Sequence, residues 1–236
     1  MKILIAAPLR QDPKIFREYQ RSLDELRIPA GVTVNRLFVV NDCPEVIPEI
    51  RDAAYTVVNT GDVYLRREND HYWTHDNLSK MHELRNITCR TALEGGYDYL
   101  FSVDTDLVLH PDTLAVLLET GKDIVSELFW TNGWCNAWMH DQSSGMDPHW
   151  VNPGLYQVGM TGACILISRR VLEAGVDYSA IPNIQKCLWG EDRHFCIRAA
   201  CHGFTLWTDT HCPPEHLYTE KAYQNYIRRR AEQDAE

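Results

Sequence analysis

Short apolar runs alternate with helix-length amphipathic segments along most of the chain, and that alternation restricts the fold more than any single residue does. "KILIAAP" reads as a strand. "DPKIFREYQRSLDEL" reads as a helix, with Asp12 as N-cap, Pro13 at the first helical position, and Phe16, Tyr19, Leu23 and Leu26 on one face. "VNRLFVVND" is a second strand, "PEVIPEIRDAA" a short helix and "YTVVNTG" a third strand. A helix from about Ser79 to Glu94 leads through Gly95 and Gly96 into a strand that ends at Asp104. "HPDTLAVLLETG" is the next helix, "DIVSELF" and "GACILIS" are strands, "GEDRHFCIRAACHG" is a helix and "FTLWTD" is the last strand. Such alternation predicts an α/β fold with a mainly parallel sheet and helices on both faces. Ligands of such sheets sit beyond the carboxyl ends of the strands. Two aromatic-rich segments, 62–78 and 130–157, break the rhythm and read as irregular.

The bulk properties narrow the function. A net charge of -10 argues against a nucleic-acid surface, which needs a basic field. It also means that an anionic ligand needs local help from Lys, Arg or a bound cation. Lys2 precedes an apolar run, as in a signal peptide, but Pro8 and Arg10 interrupt that run and favour a first strand. No apolar segment approaches the ~20 residues of a membrane helix. The eight cysteines are scattered without a CxxC pair, so reduced thiols and a cytoplasmic location are expected.

Within "YLFSVDTDLVLHP", Asp104 and Asp106 stand at the end of an apolar run. Aspartates are common in turns after strands, and an isolated DxD needs no further explanation. A calcium loop of the EF-hand type fails, because Leu109 and Ala115 occupy the positions that need glycine and glutamate. The functional alternative is a clamp for Mn²⁺ or Mg²⁺, which keeps positions open for substrate phosphates. The cation then supplies the positive charge that an acidic protein lacks.

The neighbouring residues make this alternative specific. "LRNITCRTALEGGYDYLFSVDTDLVL" resembles the stretch before the DxD motif in glycosyltransferases of the GT-A fold, particularly the inverting family 2. The matching residues are Arg85, Asn86, Ala92 and the turn "GGYDYL". "ILIAAPLR", "VVNDCPE", "VGMTGACILISRRVLEAG" and "GEDRHFCIRAACHGFTLWTDTHCPPEH" are similar to further family segments in the same order. The resemblance implies one Rossmann-like GT-A domain over residues 1–218. Residues 1–106 would form its nucleotide-sugar half and 107–218 its acceptor half, with 219–236 as a charged helical tail.

It also implies roles. Asp106 would bind the metal, and Asp104 the ribose or the metal through water. His216 would complete the site, in preference to His211. Pro8, Arg10, Asp42, Lys80, Arg85 and Thr105 would join Asp104 in binding the nucleotide sugar, with Asp42 at the base. Asp192 would be the general base and Glu191 its orienting partner, although acids in a first helical turn also suit the macrodipole. Trp130 and Gly162 would lie on the acceptor side. Trp130, Trp134, Trp138 and Trp150 either stack on sugar rings or pack a lid against the core.

The expected activity is transfer of a hexosyl or N-acetylhexosaminyl unit from a nucleotide-diphosphate sugar, UDP-linked by preference, to a hydroxyl of unknown class. Other readings fit less of the sequence. A nucleotidyltransferase would want a glycine-rich loop after the first strand, and "APLRQDPK" has no glycine. A phosphohydrolase built on "THD" at 74–76 would be helical. A zinc site from Cys196, Cys201, His211 and His216 fails because residues five apart on a helix diverge by about 140°. A non-catalytic carbohydrate-binding module leaves the strand-end acids unexplained.

Overall fold

In the computed structural model the first strand, β1 (Lys2–Leu9), divides its side chains between two apolar layers. Ile3, Ile5, Ala7 and Leu9 enter one, and Leu4 and Ala6 the other, following the two-residue repeat of a strand. The structure describes residues 1–61, 66–67, 70–71, 75–131, 133–138, 152–183 and 190–233. Among them, β1 joins an eight-stranded sheet with β2 (Thr33–Asn41), β3 (Ala54–Val58), β4 (Tyr99–Ser102), β5 (Ile124–Glu127), β6 (Leu155–Val158), β7 (Ile165–Ser168) and β8 (Leu206–Asp209). The order is β6-β8-β5-β7-β4-β1-β2-β3. β1 pairs in parallel with β2 and β4, β2 with β3, and β5 with β8. β7 runs against β4 and β5, and β6 runs against β8. The other strands all point one way, so the sheet is mainly parallel and its main carboxyl edge gathers the ends of β1, β2, β4, β5 and β8.

Helices cover both faces, as the alternation predicts. α1 (Pro13–Asp24) and α3 (Thr113–Glu119) place Phe16, Tyr19, Leu114 and Leu117 in the layer of Ile3 and Phe38. α2 (His75–Glu94), α4 (Arg169–Glu173) and α5 (Glu191–Cys201) place Cys89, Ala92, Val171 and Phe195 in the layer of Leu4 and Leu100. Asp12 caps α1, its Oδ1 accepting from the Lys14 N–H at 2.9 Å, with Pro13 at the start. α6 (Glu220–Gln233) lies against α1. Its Tyr226 is buried with Ile15, Val108 and Leu217, and Arg230 reaches Glu18 at 2.6 Å. Among the described residues no helix is long and apolar enough to cross a membrane.

Several elements differ from the sequence expectation. "PEVIPEIRDAA" yields only a 3₁₀ turn over Pro44–Glu49, because Pro48 has no N–H to continue a helix. α2 begins at His75, inside a segment read as irregular. The segment 130–157 also contains order. β6 begins within it, and Trp130–Thr131 pairs antiparallel with Trp134–Cys135. β6 is a half-exposed edge strand, so "LYQV" shows neither clean alternation nor a buried apolar run. Trp150 and Cys187 lie outside the described residues.

Candidate active site

The acids that follow β4 are held at the carboxyl edge by a tight turn and a two-stranded ribbon. Leu107 N–H donates to the Asp104 carbonyl at 3.1 Å. Leu107–Val108 then pairs antiparallel with Glu215–His216, with His216 opposite Leu107. Leu217 N–H donates to the Asp106 carbonyl at 2.8 Å. This register puts His216 Nε2 3.3 Å from Asp106 Oδ2. The ring's other nitrogen, Nδ1, lies 2.9 Å from Thr131 Oγ1, and the rings of Phe129 and Tyr218 flank it at 5.1 Å. Burial works against a charged ring, but neighbouring Asp106 outweighs it and raises the His216 pKa. His211 instead faces Asp209, with Nδ1 2.9 Å from Oδ1.

Arg85 of α2 ties the strand end to α5. It is 2 % exposed, and its Nε donates to Glu191 Oε1 at 2.9 Å while an Nη donates to Asp104 Oδ1, also at 2.9 Å. Ser102 Oγ accepts a third bond at 3.3 Å, and the Tyr178 ring lies 5.6 Å from the guanidinium carbon. A buried guanidinium needs such partners, because an unpaired charge in the interior is very costly. Asp104 remains 35 % exposed, so one side of this cluster is open to water. Its pKa is raised by burial, against the pull of Arg85 and with help from Asp106.

Asp192 follows Glu191 in the first turn of α5, after Gly190 at φ 104°. Its carboxylate rests on Gly162: a Cβ built there would lie 2.1 Å from Asp192 Oδ2. No other residue fits at position 162 without moving the acid. Burial raises the Asp192 pKa, Arg85 opposes, and Glu191 and Asp104 add to the rise, leaving it at about 8. A carboxylate tuned upward in this way suits a general base.

The remaining candidates stand elsewhere along the edge. Asp42, with φ 44°, closes β2 and accepts from the N–H groups of Thr60 at 2.9 Å and Gly61 at 3.1 Å, and from the Thr60 hydroxyl. The Thr60 hydroxyl bond lowers its pKa first. The two N–H groups and Arg10, whose Nη1 is 4.0 Å away, add to the effect against burial. Pro8 is half-buried in β1 opposite Val39, and Lys80 is half-buried on α2. Thr105 is buried between the two aspartates. Trp130 is 39 % exposed at the base of its hairpin.

Some residues had no sequence signal. Asn136 clasps three segments. Its Oδ1 accepts from Phe129 N–H at 2.9 Å, and its Nδ2 donates to the carbonyls of Glu127 at 3.0 Å and Gly162 at 2.9 Å. Tyr178, stacked on Phe195 at 4.6 Å, floors Arg85. Glu127 and Asp209 meet across paired strands. Each is a single polar residue whose partners no local pattern marks. Among the described residues no group of three or more His, Cys, Asp or Glu is arranged to hold an ion by itself; Asp106 and His216 converge as a pair.

The fold is of the GT-A glycosyltransferase type. Residues 1–349 of S. aureus TarS resemble it with a TM-score of 0.54 and 14 % identity, covering 89 % of this chain and 58 % of that one. The same fragment in complex with UDP-GlcNAc gives 0.52 and 14 %, covering 89 % and 56 %. The Pyrobaculum calidifontis mannosyltransferase PcManGT, in complex with GDP-Man and Mn²⁺, gives 0.53 and 13 %, again covering 89 % and 56 %. This chain therefore spans 56–58 % of the length of those solved chains. No protein-family model matches the sequence, and no curated protein does either.

Proposed function

We propose that this chain is a divalent-cation-dependent glycosyltransferase. It would move a hexosyl or N-acetylhexosaminyl unit from a nucleotide-diphosphate sugar to an acceptor hydroxyl, with inversion. The observation that carries this reading is Arg85, which bonds Asp104 at the strand end and Glu191 on the helix of Asp192. It joins a diphosphate-side acid and a base-side acid into one cleft. Solved structures of the same fold hold UDP-GlcNAc in one case and GDP-Man with Mn²⁺ in another.

Asp106 and His216 are the residues that would hold the cation. A carboxylate oxygen beside an imidazole nitrogen is a donor set that suits Mn²⁺, with Mg²⁺ favoured less. Two protein ligands suffice where substrate phosphates complete the shell. Bound there, the cation supplies the positive charge that the departing diphosphate needs. The second oxygen of Asp104 would meet the ribose or a cation-bound water. Arg10, Asp42 and Pro8, at the ends of β1 and β2, would contact the nucleoside, Thr105 would line the same site, and Lys80 a phosphate. Arg85 serves the donor as a strut behind Asp104 rather than as a phosphate ligand.

Asp192 takes the proton of the acceptor hydroxyl. The acceptor oxygen forms its bond to the anomeric carbon as the bond from that carbon to the phosphate oxygen breaks in line. The nucleoside diphosphate leaves with that electron pair. Unlike hydrolysis by a glycosidase, no second carboxylic acid has to protonate the leaving oxygen.

The test is release of nucleoside diphosphate from UDP-, GDP- and dTDP-sugars with and without Mn²⁺. Release from one donor, abolished by chelator and by Asp106→Asn, is expected. No release from any donor under any metal condition would overturn the proposal.

A further inference from the structure

We propose that the acceptor is a saccharide, and that the indole of Trp134 is the platform on which its sugar ring stacks. This rests on the glycosyl-transfer reading of the cleft and adds the acceptor class to it.

Trp130–Thr131 and Trp134–Cys135 form a two-stranded ribbon that is braced on both sides. Trp134 pairs with Thr131, and Cys135 with Trp130. Directly opposed residues of an antiparallel pair share a face, and neighbours along a strand alternate. Trp134 and Thr131 therefore share one face, and Trp130 takes the other. Thr131 Oγ1 bonds His216 Nδ1 at 2.9 Å, so Trp134 belongs to the side of the candidate metal ligand. The register thus favours Trp134 over Trp130 for the acceptor.

The base of the ribbon reaches the candidate general base. Asn136, two residues beyond Trp134, donates to the Gly162 carbonyl at 2.9 Å, and the Asp192 carboxylate rests on that glycine. Trp138 exchanges backbone bonds with Met160, with Trp138 N–H donating at 2.8 Å, and the Arg193 guanidinium lies 4.7 Å from its ring centre. Arg193 is the residue after Asp192. A ribbon held at both ends in this way presents its indole already ordered, which lowers the entropy lost on binding.

The amount of exposed indole selects the ligand class. Trp134 is 62 % exposed, the largest value among the exposed large apolar residues described. Of the roughly 150–250 Å² that a large aromatic side chain can bury, about 100–150 Å² is open to water. That is well below the several hundred Å² of contiguous apolar surface that marks a protein- or membrane-docking patch. It matches one sugar ring, whose C–H face is apolar and whose edge carries hydroxyls. A flat apolar wall next to a few polar groups is how a pocket orients such a ligand, and here the adjoining polar groups include the acid that would take the hydroxyl proton.

The experiment titrates the full chain, without donor, with free disaccharides of glucose, galactose, mannose and N-acetylglucosamine at millimolar concentrations. Saturation-transfer NMR and tryptophan fluorescence report binding. At least one disaccharide should bind the wild type. Trp134→Ala should weaken it by about tenfold or more, Trp134→Phe by less, and Trp130→Ala by under about twofold. No disaccharide bound at these concentrations, or equal binding by wild type and Trp134→Ala, would overturn the proposal. The titration contains no nucleotide, so a failure of nucleotide release, which would sink the transferase reading, is seen separately from a failure of saccharide binding.

Discussion

Asp104 and Asp106 follow β4, while Glu127 and Asp209 close β5 and β8, so two pairs of carboxylates crowd the same edge of one sheet. Each member of the first pair faces its own basic partner, Arg85 at 2.9 Å and His216 at 3.3 Å. The second pair is sealed, with Glu127 at 0 % and Asp209 at 2 % exposure. Asp209 has the N–H and ring of His211, whereas Glu127 has Asp209 beside it and only the Cys212 N–H to oppose the rise in its pKa. Burial first, and the Asp209 charge second, push the Glu127 pKa up to about 9. A proton shared with Asp209 does for the second pair what Arg85 and His216 do for the first. On the proposed function, the first pair exchanges the charge beside it for a ligand, while the second holds its proton.

That contrast can be broken by substitution. Asp106→Asn should reduce transfer by about 10²–10³-fold or more, with a Tm close to the wild type, whereas Glu127→Gln should leave kcat/KM within a few-fold. Equal losses in the two variants would erase the distinction. Arg85→Met strands Asp104 and Glu191 together. Breaking a buried pair from one side costs about 3–5 kcal/mol, to be read from urea unfolding along with loss of activity.

Glu127→Gln sharpens the comparison through pH. The folded-state pKa of Glu127 lies above its ordinary value of 4.5. Stability present below pH ~4.5 is therefore lost progressively up to pH ~9, as the unfolded chain ionises and the folded chain does not. Glutamine keeps a donor toward Asp209 and removes that loss. The variant should match wild type near pH 4 and gain about 1–3 kcal/mol by pH 7, a rise in Tm of several degrees in calorimetric scans. The smallest effect concerns Asp192, which as the proposed general base would have to be ionised to act. In the free protein kcat/KM should rise with pH and level off above about 8. With cation and donor bound, the limb of kcat should move to lower pH, because added positive charge favours the carboxylate.

Much of this was readable in the sequence where the signal is local. The apolar run into Asp104 announced a strand end, and Pro13 after Asp12 announced α1. The order of segments pointed to the sheet and its helical cover. What escaped depends on partners distant in the chain. Nothing in "GACILIS" tells that β7 runs against its neighbours. Arg85 is expected to bind the nucleotide sugar, and nothing local in the sequence shows that Glu191, 106 residues away, also closes on it. The resemblance favours His216 over His211, but the register that sets it beside Asp106 pairs Glu215–His216 with Leu107–Val108, strands too short to leave a pattern. The face taken by Trp134 likewise follows from a two-residue register.

The most direct test of a cation-held diphosphate at Asp106 is a calorimetric titration of UDP and GDP into wild type, Asp106→Asn and Glu127→Gln, each with Mn²⁺ and with chelator. One nucleotide should bind wild type and Glu127→Gln at least about tenfold tighter with Mn²⁺, and Asp106→Asn should show no such gain. Equal affinity with chelator, or an undiminished Mn²⁺ effect in Asp106→Asn, would contradict it.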